Sequence, residues 1–158
     1  MRQRHTIDAW GTKLYFDCEG TEFDSVVAFA EITSFVGLVD DLFSTYKPDS
    51  VVSQLRDGRM QIGDAPGDVI EVANLCAIAR DLTDGAFDPW AVPGGFDPSG
   101  YVKGWAADKC ADIAQEHGAQ HVQINFAGDL ALRGGFNDGG VTKPWSIGIS
   151  NPDNTKEV

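Results

Sequence analysis

The chain reads as an α+β domain, and three observations predict that class. Helical periodicity recurs in three separated stretches, short alternating stretches stand near both ends, and the two kinds do not alternate as a doubly wound sheet requires. The 158 residues show no internal repeat, low-complexity tract or linker. A single domain over 1–158 is therefore expected, with three main helices packed on a mixed or antiparallel sheet.

The elements follow in order. From Thr6 to Asp17 the residues Ile7, Ala9, Gly11, Leu14 and Phe16 mix alternation with a glycine, which predicts two short strands around Gly11-Thr12. Asp24 or Ser25 can cap a helix whose apolar positions Val26, Phe29, Ile32, Phe35, Val36, Val39 and Leu42 recur at three and four. Pro48 breaks that pattern and forces Lys47 out of helical geometry, so Phe43 to Ser50 is a loop opening a short turn at Val51 to Leu55. Gly67-Asp68 begins a second helix with Val69, Val72, Ala73, Cys76, Ala79 and Leu82 on one face. Asp97-Pro98-Ser99-Gly100 has type I turn composition, and a third helix is expected from Lys103 to about His117, stopped by Gly118. His121 to Phe126, Asp129 to Arg133 and Trp145 to Ser150 read as strands, with a hairpin turn within Gly134 to Gly140.

Twelve basic against twenty-four acidic residues give a formal charge of −12, a field that repels phosphate backbones and anionic membranes. Nucleic acid is excluded as a partner, and an anionic ligand would need local devices to hold it. Cys18, Cys76 and Cys110 are odd in number and never in Cys-x-x-Cys spacing, which fits a reduced cytoplasmic protein. The first residues lack a signal peptide's apolar run, and no stretch is long enough to span a membrane.

The segment from Thr83 to Asp108 is dense in glycine, proline, aspartate and aromatic residues, as a ligand-gripping loop feeding a helix would be. Lys103 and Gly104 are placed at that helix's N-terminus, where free N–H groups favour an anion, and Asp108 and Ala111, three apart, share a face one turn on. A surface lysine and a solvated aspartate are the alternative reading. Phe87, Trp90, Phe96 and Trp105 suit stacking on a planar heterocycle, or simply plug the loop onto the core. Tyr46 is either a loop phenol free for a ligand or an anchor. Dinucleotide and phosphate-loop glycine motifs, the metalloprotease histidine pair and the Gly-x-Ser-x-Gly elbow are all missing.

Taken in order, Gly11-Thr12, Phe43-Ser-Thr-Tyr46, Pro48-Asp-Ser50, Gly85-Ala-Phe-Asp-Pro89, Lys103-Gly-x-Ala-x-Asp108 and Gly128-Asp129 resemble the ApbE family, the FAD:protein FMN transferases. The resemblance runs from about Thr6 to Pro152. It implies a T-fold-related domain and a magnesium-dependent enzyme that transfers FMN from FAD to a threonine of an acceptor flavoprotein and releases AMP. By the same resemblance Trp10, Tyr46, Ala86, Phe87, Asp88 and Asp108 contact FAD, Lys103 helps to hold its pyrophosphate, and Ala111 offers a backbone oxygen to Mg2+. No catalytic side chain is assigned.

The chain departs from the family pattern at Trp10 (usually methionine), Arg56 (commonly asparagine), Ala127 (usually glycine) and, mildly, Trp105 (tyrosine). Family members also continue further, into a segment that completes the magnesium site, so the chain resembles the N-terminal portion. That predicts exposed apolar surface and a partner, either a separate C-terminal half or a second copy. A non-catalytic flavin-binding fragment or interaction module is the alternative function.

Overall fold

In a computed structural model, residues 1–149, 151 and 152 are described. Strands β1 (Arg2–Ala9) and β2 (Thr12–Glu19) form a hairpin in register from Arg2 opposite Glu19 to Ala9 opposite Thr12. Both strands are longer than the sequence pattern predicts, and the turn is Trp10-Gly11, with φ of 54° and 71°. A two-residue type I′ turn requires positive φ at both positions, which explains the glycine and makes the tryptophan unusual.

Four helices follow: α1 (Ser25–Phe43), α2 (Val51–Arg56), α3 (Gly67–Leu82) and α4 (Ser99–Glu116), with a 3-10 turn at Ile62–Asp64 between α2 and α3. Asp24 caps α1, its carboxylate accepting from the Val27 amide at 3.2 Å. Ile32, Val36, Val39 and Leu42 are buried along one stripe, as the periodicity requires. In α3, Val69, Val72 and Cys76 are buried, but Leu82 in the last turn is 80% exposed. The stripe has rotated off the core by the end of α3, so Leu82 does not join its face.

Strands β3 (His121–Phe126) and β4 (Asp129–Arg133) complete a four-stranded antiparallel sheet in the order β1-β2-β3-β4. The choice between mixed and antiparallel is thereby resolved. Leu14, Phe16 and Cys18 from β2 and Val122, Ile124 and Phe126 from β3 alternate onto the helical side and are fully or nearly fully buried. Against them pack α1 and α4, whose Ala106, Ala107, Cys110, Ala111 and Ala114 have no exposure. The small alanines let α4 lie close on the sheet. A separate hairpin of β5 (Phe136–Asp138) and β6 (Val141–Lys143) turns on Gly139-Gly140. The strand expected at Trp145 to Ser150 does not form over 145–149, where the Trp145 indole instead donates to the Arg133 carbonyl at 3.0 Å. Ser150 lies outside the described residues.

All three cysteines are free and buried, and burial pushes the Cys18 thiol up to about 12 and the Cys76 thiol up to about 11. On the outer face, Asp17 accepts from Arg2 Nε at 2.6 Å and Nη2 at 2.7 Å, and from Arg4 Nε at 2.9 Å. Partial burial raises the carboxyl's pKa, but these hydrogen bonds and charges outweigh it and the net shift is downward. A lowered folded pKa means stabilisation present above the unfolded value, about 3.9, and lost as pH falls through the folded one. Urea titrations of the protein and of Asp17→Asn should therefore differ at pH 6 and converge as the pH falls from about 5 toward 2. A pH-independent difference would show that the arginine pairs do not stabilise the ionised form.

Candidate functional site

Helix α4 starts four residues earlier than its periodicity predicts. The Asp97-Pro98-Ser99-Gly100 turn is the first helical turn itself, since type I turn and helix share backbone geometry. Tyr101 and Val102 both donate to the Pro98 carbonyl, at 2.8 and 3.0 Å, and Asp97 Oδ1 accepts from the Ser99 amide at 3.0 Å and hydroxyl at 2.5 Å. Lys103 and Gly104 thus stand in the second turn rather than at the free N–H groups. Lys103 lacks the company of open backbone donors there.

Lys103 nevertheless faces a cleft. A cavity of about 660 Å³ lies between the Ser44 to Lys47 loop on one side and the start of α4 on the other, with the Trp10-Gly11 turn at its end. That volume falls within the ordinary range for small-molecule sites. Tyr46, 95% exposed, presents its phenol to solvent, while its backbone amide donates to Ser44 Oγ at 3.4 Å. Asp40, Phe43, Asp97, Ser99 and Val102 complete the walls. The Lys47 amino group bonds Asp40 at 2.5 Å and Asp41 at 2.8 Å, and those hydrogen bonds push its pKa up. The Lys103 amino group lies 3.1 Å from Asp129 Oδ2, at the start of β4.

Trp10 shapes the cleft's end. Its ring meets Phe126 edge-on, with centroids 5.5 Å apart at 85°, which holds the strained turn. Among the described residues its Nε1 is the one buried side-chain polar atom without a hydrogen-bond partner. A second type I′ turn, Ala127-Gly128, with φ of 54° and 104°, lies at the same end of the sheet. A more open groove of about 840 Å³ runs between the two turns and shares Trp10 and Gly11 with the cleft.

The other expected residues lie elsewhere. Ala86, Phe87 and Asp88 are not on the cleft's lining. Phe87 packs instead against Gly100 and Tyr101 at the start of α4, with the two ring centroids 6.4 Å apart. Asp88 Oδ1 accepts from the Trp90 amide at 2.9 Å. Of the loop aromatics, Phe96 and Trp105 are buried, and Trp105 donates through Nε1 to Glu71 at 3.1 Å. Asp108 is paired with Arg133 at 3.2 Å across to β4, while Ala111 is wholly enclosed. The two are neighbours on α4, but one lies outside the core and the other within it. Among the described residues no three His, Cys, Asp or Glu side chains converge on a metal-sized space. Sequence reasoning missed Asp40 and Asp97 as cleft residues, because only the tertiary fold brings them to it. Asp129, the counter-ion of Lys103, was visible only as part of the Gly128-Asp129 turn.

Comparisons with known proteins agree with this architecture. The model of the ApbE family matches residues 91–158. No curated protein sequence matches the chain. Among solved structures, the flavin transferase ApbE from Vibrio cholerae superposes with a TM-score of 0.81 at 21% identity, over 96% of this chain and 64% of that one. The apo flavinyl transferase ApbE from Pseudomonas stutzeri gives 0.81 at 19%, over 98% and 63%. The ApbE protein from Thermotoga maritima gives 0.83 at 18%, over 100% and 66%. The chain therefore spans about two thirds of these proteins' length. The Lys103 to Asp108 motif and the Gly128-Asp129 turn fall inside the matched region, whereas Tyr46 and Phe87 are related to the family by fold alone. Over residues 91–158 the chain matches the ApbE family, and from end to end it carries the fold of the ApbE flavin transferases.

Proposed function

We propose that this chain supplies the flavin-binding part of an FAD:protein FMN transferase and that FAD lies in the cleft between the Tyr46 loop and α4. The observation that carries the reading is the convergence of Trp10, Tyr46 and Lys103 on one cavity of about 660 Å³ in a protein of net charge −12. Lys103 brings positive charge to the pyrophosphate, which the overall field would otherwise repel. The unpartnered Trp10 Nε1–H and the exposed Tyr46 phenol suit a polar heterocycle.

In the reaction, the hydroxyl oxygen of an acceptor threonine attacks the FMN phosphorus. The bond from that phosphorus to the bridging oxygen breaks, AMP leaves with that oxygen, and the hydroxyl proton is lost to a base. Magnesium dependence belongs to the same proposal, since a bound Mg2+ neutralises phosphate charge. Ala111 is enclosed and no trio of His, Cys, Asp or Glu side chains converges among the described residues, so no step is assigned to the metal. The partners are a flavoprotein carrying the target threonine and a separate C-terminal half or second copy that completes the centre. A cytoplasmic setting keeps the three thiols reduced.

Titration of the chain with FAD, with and without magnesium, followed by flavin fluorescence, tests the reading. Saturable binding is expected, weakened about tenfold or more in Lys103→Ala and Tyr46→Ala, with melting temperatures nearly unchanged because both side chains are substantially exposed. A folded chain that leaves FAD fluorescence unaltered would sink it. One observation favours a second reading, a flavin-binding module without catalysis: Lys103 and Asp108 each already hold a partner of opposite charge. That reading predicts FAD binding, but no covalent flavin on an acceptor even after a C-terminal half is supplied.

A further inference from the structure

We infer that Arg56 is a positioning residue, a clasp that ties the loop from Pro89 to Pro98 onto α2 and so sets the separation of the two cleft walls. The inference rests on the flavin reading only for its ligand measurement. Arg56 Nη2 donates to the Pro93 carbonyl at 2.7 Å, and Nη1 lies 3.8 Å from Asp97 Oδ2. Gly94, at φ +88°, packs so closely that a Cβ there would stand 2.8 Å from Nη2 and 3.2 Å from Nε. The loop closes tightly on the guanidinium, and the left-handed backbone at Gly94 itself favours glycine.

Each end of the clasp is anchored to one wall. Asp97 uses its other oxygen, Oδ1, to hold the Ser99 amide and hydroxyl at the start of α4, and both residues line the cleft. On the opposite side, Ser50 donates to the Ser44 carbonyl at 2.6 Å and accepts from the Ser53 amide at 3.0 Å, fixing α2 to the loop that carries Tyr46. Contacts therefore run without a gap from the Tyr46 wall through α2 and Arg56 to the α4 wall. A lysine would bring a single ammonium nitrogen where the guanidinium offers Nη2 to the carbonyl and Nη1 toward the carboxylate, so it should replace the fork only in part.

Hydrogen exchange and FAD titration of Arg56→Ala, Arg56→Lys, Gly94→Ala and the Arg56→Ala/Gly94→Ala double variant test the clasp. Amides 94–99 are expected to exchange at least tenfold faster in both alanine variants and to an intermediate degree in Arg56→Lys. FAD affinity should fall about tenfold while melting shifts by only a few degrees, and the double variant should be no worse than Gly94→Ala alone, which already carries the cost of the left-handed backbone and breaks the same contact. Unchanged exchange in Arg56→Ala overturns the clasp. Faster exchange with undiminished FAD affinity overturns its positioning role. Absence of FAD binding by every protein, the parent included, removes the flavin reading, while the exchange pattern still decides the clasp.

Discussion

Phe126→Ala should destabilise the protein by about 3–5 kcal/mol, the usual cost of removing a fully buried aromatic ring. Phe126 has no exposure and closes β3 directly before the Ala127-Gly128 turn. Its ring stands edge-on to Phe16 at 5.5 Å and to Trp10 at 5.5 Å. Removing it therefore empties the helical face at the end of the sheet that carries the two turns and also takes away the ring that Trp10 meets edge-on. Without the edge-on ring, a tryptophan at φ 54° keeps its backbone strain and loses part of its compensation. Thermal denaturation followed by circular dichroism should show a midpoint lower by roughly 6–20 °C, at 2–4 °C per kcal/mol for a chain of this size. Phe126→Leu, which refills most of the space, should recover more than half of the loss. Equal melting of the alanine and leucine variants would mean that the refilled volume contributes little and that the loss lies in the ring contacts themselves.

Gly118→Ala is expected to be nearly as costly, although it adds one carbon and removes nothing. Gly118 sits at φ +90° just past α4, where its amide donates to the Gln115 carbonyl at 2.9 Å and the Ala119 amide donates to the Ala114 carbonyl at 3.0 Å. These are the two bonds of a Schellman motif. A Cβ would stand 2.7 Å from the Glu22 carbonyl oxygen, and a Cβ on Gly20 would come within 2.2 Å of the Gly118 carbonyl oxygen. The two glycines interlock the end of β2 with the end of α4. Left-handed backbone costs a non-glycine residue about 1–2 kcal/mol and overpacking costs about 1–3 more, so a loss of about 2–5 kcal/mol is expected in urea. Gly37 is the internal contrast. It lies mid-helix in α1 with nothing within 4 Å of a built Cβ, and Gly37→Ala should stabilise by about 0.5–1 kcal/mol. The same sign for both substitutions would refute the account given for Gly118.

The elements legible in the sequence are those whose signals are local. The apolar spacing of α1, its Asp24 cap, the β3 and β4 runs and the Gly118 stop all depend on residues within a few positions of one another. The first half of β1 was illegible because Arg2, Arg4 and Gln3 give no alternation of apolar residues, and the strand is held there by Asp17 from the neighbouring strand. The early start of α4 was hidden because one composition encodes both a type I turn and a helix's first turn. At the site, Trp10, Tyr46 and Lys103 do converge, from three distant segments. Phe87 stays at the base of α4, and Asp108 turns to Arg133 in β4. Arg56 was visible only as an unusual letter, since its partners Pro93 and Asp97 are about forty positions away and meet it only in the folded chain.

The pairing of β2 with β3 joins Glu19 to His121 in the middle of the sheet. A ribosome adding roughly 5–20 residues per second needs about 5–20 s to make the hundred residues between them. For that interval the β1–β2 hairpin has its Leu14, Phe16 and Cys18 face made but no neighbouring strand to close it, and the loop to be closed is about as long as the domain allows. Completion of the sheet is thus a late event in the life of each molecule, and the nascent hairpin, with an unpaired edge and an apolar face that only α1 can cover until α4 is made, is the state in which chaperone capture or aggregation competes with folding.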